Sequence, residues 1–166
     1  MIFEKFFPDK WMNSTYEIPF EEYYEKGYRG ILFDIDNTLV PHGEPADERA
    51  IQLFKRLKKI GYKVCVMSNN KEQRVTSFSQ AVGIEFYIFK ANKPSIKSYQ
   101  FGMKKMGTDV TNTLFVGDQL FTDIYGANRA GIKSILVNPI HPKEEIQIVL
   151  KRYLEKIVLH GYKHKN

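Results

Sequence analysis

Along this chain, short apolar runs alternate with longer stretches in which apolar residues recur every three or four positions. Strand-sized and helix-sized patterns in alternation predict βαβ units and a parallel sheet. The run Gly30-Ile31-Leu32-Phe33, bounded by glycine, reads as a buried strand. A helix is predicted over 47–60, with Ile51, Phe54 and Leu57 on one face and Gly61 as its stop. A second strand over 63–67 leads to a polar helix over 71–82, closed by Gly83. A short third strand over 86–89 precedes a helix over 94–106, where Pro94 stands early enough that its missing N–H costs little. Strand 113–116, a helix of small residues over 120–130 and strand 133–137 follow. The last helix, 143–159, carries Ile146, Val149, Leu150, Tyr153, Leu154, Ile157 and Val158 in one stripe, with Lys151, Arg152 and Lys156 off it. Its plainest role is to dock that stripe on the sheet; membrane contact is the alternative. The expected fold is α/β, three αβα layers around a parallel sheet of about five strands, in a single domain over 1–166.

Composition narrows the class. A chain of 166 residues has one domain's length and can bury a real core. The single cysteine, Cys65, excludes an internal disulfide and a cysteine zinc cluster, and its apolar neighbours make it core filler. The four histidines read as surface or loop residues, with His42 the one near a candidate site. No run approaches 18 apolar residues, so no transmembrane helix is expected. The first eight residues lack the order of a signal peptide, and a cytoplasmic setting is expected, with peripheral contact at the inner face of the membrane as an option. The net charge of +6 favours an anionic partner: a phosphorylated metabolite, nucleic acid or an anionic membrane.

Candidate chemistry sits at the strand ends. The first strand closes on Asp34-Ile35-Asp36. Two carboxylates there are costly unless paired or bound to metal, and the carboxyl ends of strands in an open parallel sheet are where ligands bind. A solvated pair is one reading. The other has Asp34 attack an electrophile while Asp36 moves a proton. The second strand ends at Ser68-Asn69-Asn70, where a hydroxyl and backbone N–H groups suit an anion, or Ser68 is a plain helix cap. Lys93, after the third strand, is placed to neutralise a phosphate oxygen, though a lone lysine is more often solvated. Asp118 and Asp123 follow the fourth strand and crowd four acids at one edge. Like charges repel unless a cation intervenes, and an oxygen-only donor set suits Mg²⁺.

In this order, Asp34-Ile35-Asp36-Asn37-Thr38-Leu39, Ser68-Asn69-Asn70, Lys93-Pro94 and Gly117-Asp118 through Asp123 resemble the four motifs of the haloacid dehalogenase (HAD) superfamily of phosphatases. With Val40-Pro41 and the run from Ile124 to Asn128, the chain more narrowly resembles the YqeG family of class III phosphatases, which is similar to mitochondrial phosphatidylglycerophosphate phosphatases. The resemblance implies a Rossmann-like HAD fold and an Mg²⁺ cofactor. It makes Asp34 the nucleophile that forms an aspartyl-phosphate and Asp36 the acid and then base. Asp36 would also offer its backbone carbonyl to the metal. Thr38 would steady Asp36 at the phosphate site, Ser68 and the Asn69 N–H would hold phosphoryl oxygens, and Lys93 would balance their charge. Asp34, Asp36 and Asp118 would hold the metal, with Asp123 as ligand or support.

The steps from Asp34 to Ser68 and from Ser68 to Lys93 are 34 and 25 residues, too short to hold a cap domain. An open site suits a phosphate carried on something larger, such as a lipid, a phosphoprotein or a nucleic-acid end. Phe3, Phe6, Phe7, Trp11 and Met12, together with a basic tail, favour a membrane interface, unless the aromatics simply plug the sheet edge. The expected activity is phosphatidylglycerophosphate hydrolysis in phospholipid synthesis. Its rivals are the same chemistry on a soluble phosphoester, nucleotide or phosphoprotein, and a Mg²⁺/phosphate-dependent module that binds RNA or another partner. No RNA-binding motif supports that last reading, so a nucleic-acid partner is not expected.

Overall fold

The computed structural model describes residues 2–141 and 146–165. Strands β1 (Lys10–Met12), β2 (Gly30–Phe33), β3 (Lys63–Met67), β4 (Phe86–Ile88), β5 (Thr113–Gly117) and β6 (Lys133–Val137) alternate with six helices. These are α1 (Phe20–Glu25), α2 (Glu48–Ile60), α3 (Glu72–Val82), α4 (Ile96–Met106), α5 (Tyr125–Arg129) and α6 (Ile146–Lys165). All strand pairs are parallel, in the order β1-β6-β5-β2-β3-β4. The sheet therefore has one strand more than expected. Lys10-Trp11-Met12 is too short to show a period, and it becomes a strand only because the edge of β6 is there to pair with it.

Alternation along each buried strand sends successive side chains to opposite faces. Ile31 and Phe33 pack with Leu53, Phe54 and Leu57 of α2 and Val75 and Phe78 of α3. Leu32, Cys65 and Phe115 pack on the other side with Tyr99, Met103 and Met106 of α4 and Ala127 of α5. Burying each of the larger side chains contributes about 2 kcal/mol, so both helical layers are held mainly by apolar area. Helix α2 is capped by the Asp47 carboxylate, which accepts from the Ala50 N–H at 2.8 Å, and ends at Gly61 with φ 117°. That left-handed conformation needs no Cβ.

Two sequence expectations change. The stretch 120–130 divides into a wide π turn over Leu120–Ile124 and the short α5. In α6 the apolar stripe does not dock as a unit: Val158 is 3% exposed, but Tyr153, Leu154 and Ile157 are 66%, 49% and 55% exposed. Glu155, at 4%, faces inward instead. The expected start of this helix at 143–145 lies outside the described residues. Near the N-terminus, Phe6, Phe7 and Trp11 pack with Leu120, Ile124, Leu136 and Val158, filling the wedge between the sheet edge and α6. Among the described residues, no helix is long and apolar enough to cross a membrane.

Candidate active site

The strand order reverses between β2 and β5, and this switch point is where ligands bind in open α/β sheets. Asp34 is the first residue beyond β2 and Asp118 the first beyond β5. The ladder holds them side by side, the Asp34 N–H donating to the Val116 carbonyl at 3.0 Å. Ser68 follows β3, Lys93 lies in the loop after β4, and Asp123 sits in the π turn after Asp118.

Buried Lys93 joins two of these carboxylates. Its ammonium donates to Asp34 Oδ1 and to Asp123 Oδ1, at 2.7 Å each. The Thr38 hydroxyl lies 3.2 Å from Asp34 Oδ2 and 3.0 Å from Asp118 Oδ1. Thr38 therefore bridges Asp34 and Asp118, where the resemblance had it steadying Asp36; the turn after Asp34, with Asn37 at φ 61°, carries the hydroxyl back to the strand ends. Asp123 Oδ2 accepts from the N–H groups of Asp118 at 3.2 Å and Gln119 at 3.1 Å, which shapes the loop carrying Asp118. Arg152 of α6 donates to both the side-chain carboxylate and the main-chain carbonyl of Asp118. Glu155 accepts from Arg152 at 3.2 Å and from the Leu120 N–H at 2.9 Å, pinning α6 to the same loop.

The cluster is short of positive charge. Carboxylate oxygens of Asp34, Asp118 and Asp123 lie within 4.8 Å of one another, against two contacting cations, Lys93 and Arg152. Burial pushes Asp34 well above the usual carboxylate range, and Asp123 adds to the rise while Lys93 opposes it. Burial likewise raises Asp118 to about 6 against the pull of Arg152. For Lys93, burial favours the neutral amine, but Asp123 and Asp34 outweigh it and keep the ammonium.

Asp36 stands apart from this cluster. Its Oδ1 accepts from the Gly43 N–H at 2.8 Å and from Arg74 Nη2 at 2.9 Å. Burial works against the carboxylate, yet the Gly43 N–H and Arg74 together hold Asp36 below the usual range. Ser68 is not a helix cap: α3 begins at Glu72, and the Ser68 Oγ accepts from the Asn70 N–H at 3.0 Å inside the preceding loop. The Asn69 side chain clamps the Lys93 backbone, accepting from its N–H at 2.7 Å and donating to its carbonyl at 3.2 Å.

Arg74, Arg152 and Glu155 are the participants that the sequence reading missed. Arg74 is marked only by being an arginine in the first turns after Ser68. Arg152 and Glu155 are marked only by being an i,i+3 pair of opposite charge off the apolar stripe. Neither signal is specific.

The donor set fits a hard divalent cation. It is made of oxygen alone, it is buried, and its three carboxylates contact two cations, one of which, Arg152, is shared with Glu155.

A haloacid dehalogenase-like hydrolase model matches residues 31–104, and a HAD-hydrolase-like model matches 90–146. The chain is 37% identical over 166 residues to "Probable phosphatase YqeG" of Bacillus subtilis, covering 99% of this chain and 96% of that one. It is 28% identical to the chloroplastic/mitochondrial "Phosphatidylglycerophosphate phosphatase 1" of Arabidopsis thaliana over 84% of this chain, and spans 45% of that longer protein. Among solved structures, the 3-deoxy-D-manno-octulosonate 8-phosphate phosphatase of Moraxella catarrhalis superposes with a TM-score of 0.56 at 18% identity, covering 73% of this chain and 75% of that one. That last likeness speaks for the fold alone. The near full-length match at 37% identity, on a parallel sheet whose switch point carries these carboxylates, makes the chain a member of the YqeG family of HAD-like phosphatases.

Proposed function

We propose that the chain hydrolyses phosphomonoesters through an aspartyl-phosphate on Asp34, with Mg²⁺ as cofactor. The observation that carries this reading is Lys93, buried between Asp34 and Asp123 at 2.7 Å from each. A carboxylate can attack a phosphate dianion only where neighbouring cations cancel the repulsion. Asp34 and Asp118 would hold the metal with the Asp36 main-chain carbonyl, and Asp123 would contribute directly or by shaping the loop. When bound, the ion supplies charge neutralisation at the phosphoryl oxygens.

In the first step an Asp34 oxygen bonds to phosphorus, the ester P–O bond breaks, and the Asp36 carboxyl gives its proton to the departing oxygen. In the second, Asp36 takes a proton from water as the water oxygen bonds to phosphorus and the bond to Asp34 breaks, releasing inorganic phosphate. Arg74 and the Gly43 N–H favour ionised Asp36, as the second step requires. A phosphate dianion beside it raises its proton affinity for the first. Ser68 Oγ and the Asn69 N–H hold phosphoryl oxygens. Lys93 and Thr38 keep Asp34 in one orientation through its two oxygens.

The preferred substrate in this reading is an anionic lipid phosphate, phosphatidylglycerophosphate, met at a membrane surface. The exposed Tyr153, Leu154 and Ile157 on α6 support it, as does the name of the Arabidopsis relative. The test is Mg²⁺-dependent phosphate release from phosphatidylglycerophosphate in mixed micelles against a panel of soluble phosphoesters, with Asp34→Asn as blank. Release from the lipid that is absent in the variant supports both chemistry and substrate. Release from soluble esters alone removes the lipid assignment.

A further inference from the structure

Away from the carboxylate site, a pair of metal-ligating side chains stands together near the C-terminal end of α6. His160 and His164 lie one turn apart, and their Nε2 atoms are 3.0 Å from each other. Residues four apart on a helix have Cβ atoms about 5–6 Å apart on one face, a spacing from which two imidazoles can reach one ion. The plain reading is a hydrogen bond from one ring N–H to the other ring nitrogen. Such a bond is best made in line with both rings, which would set the ring centres about 5 Å apart. They stand 4.3 Å apart, with the ring planes at 72°. The nitrogens are therefore turned off the line between the rings, as two ligands of a third atom are. Both side chains are exposed, so no packing presses them together.

We propose that His160 and His164 chelate a divalent transition-metal ion, at a site separate from the carboxylate cluster, and that the bound ion braces α6. Imidazole nitrogen suits Cu²⁺, Ni²⁺ and Zn²⁺, whereas Mg²⁺ takes oxygen donors. Distance orders the three. Nitrogens about 2.0–2.1 Å from an ion lie about 2.9 Å apart when they meet it at a right angle, and about 3.3 Å apart when they meet it tetrahedrally. The 3.0 Å spacing is nearer the right angle, the geometry of tetragonal Cu²⁺ and Ni²⁺. Water completes the coordination, since both rings face solvent. The adjacent lysines are engaged elsewhere: the Lys163 ammonium lies 4.9 Å from the Trp11 ring centre, and Lys165 donates to Glu4. Chelation ties two successive turns of the helix whose Arg152 and Glu155 hold the Asp118 loop, so an ion bound to the folded helix stabilises that docking. The inference does not depend on the phosphatase reading.

The full chain is titrated calorimetrically with Cu²⁺, Ni²⁺ and Zn²⁺ in excess Mg²⁺. One ion per chain is expected, with Cu²⁺ bound most tightly and its electron paramagnetic resonance split by two imidazole nitrogens. His160→Ala or His164→Ala alone is expected to weaken uptake by ~10-fold or more, each nearly as much as both together, because either loss breaks the chelate. His42→Ala/His141→Ala, which removes two exposed histidines elsewhere, should leave it unaltered. Uptake that survives the loss of His160 and His164, or that falls equally in the control pair, overturns the site and leaves an adventitious ion only. Hydrogen exchange of the α6 amides is expected to slow by ~10-fold with Ni²⁺ bound, and not in His164→Ala. Uptake with unchanged exchange keeps the site and overturns the brace.

Discussion

The Arg74 guanidinium lies 2.9 Å from Asp36 Oδ1, and this contact ties the proton affinity of Asp36 to a helix that carries none of the other candidate residues. Both side chains are mostly buried, 16% and 14% exposed, so the pair acts in a medium less screening than water. With Arg74 removed, burial remains and pushes the carboxyl upward. Arg74→Met is expected to move the limb of the pH–rate profile that reports Asp36 to higher pH and to lower kcat by about 10²-fold, the usual scale for a displaced acid–base group. An unchanged profile would contradict the role given to Arg74.

Asp34 and Lys93 should separate stability from activity. Three carboxylates face two cations, one of them shared with Glu155, so Asp34→Asn reduces the surplus negative charge. It is expected to abolish phosphate release while raising the melting temperature of the cation-free protein. Lys93→Met leaves Asp34 and Asp123 without their shared partner and is expected to cost about 3–5 kcal/mol. Thermal melts in chelator check both signs; a stabilised Lys93→Met would refute the charge balance drawn from the cluster.

Asp118 gives the pH dependence. Its folded value of about 6 stands above the ordinary 3.8. Between those values the folded chain binds more protons than the unfolded one, so stability falls as pH rises through that window. A bound cation takes the place of the proton, so cation affinity should grow over the same range. The difference in melting temperature between the native protein and Asp118→Asn, followed from pH 4 to 7 with and without Mg²⁺, is the measurement. A cation-induced shift that stays flat with pH would count against Asp118 as a ligand.

Gly117 allows Asp123 its position. A Cβ built there would meet the Asp123 side chain at 2.6 Å. Gly117→Ala is therefore expected to push Asp123 off the Asp118 and Gln119 N–H groups, loosen the loop and weaken cation affinity. Calorimetric titration with Mg²⁺ checks this; unchanged affinity would mean that the loop adjusts without cost.

Much of the molecule was legible before folding. The unbroken apolar run Ile31-Leu32-Phe33 and a period near 3.6 in α2 each report burial along one element, which is a local property of the sequence. The strand-end positions were legible for the same reason: Asp34, Ser68 and Asp118 each come directly after an apolar run that can hardly be anything but a buried strand. Short β1 and the inward face of α6 escaped. Three residues show no period, and Arg152 and Glu155 turn inward against the apolar pattern because the Asp118–Leu120 loop offers them charge and N–H partners.

The sequence by itself determined most of the elements, their order and the residue types that reach each strand end. The tertiary structure alone decided that β2 lies beside β5, that Lys93 joins Asp34 to Asp123, that Thr38 serves Asp34 and Asp118, and that Arg74 and Arg152 enter at all. Hydrophobic periodicity encodes how one element meets the core. Ion pairing depends instead on which charges, tens of residues apart, are brought within about 3 Å where water no longer screens them, and no local pattern carries that information.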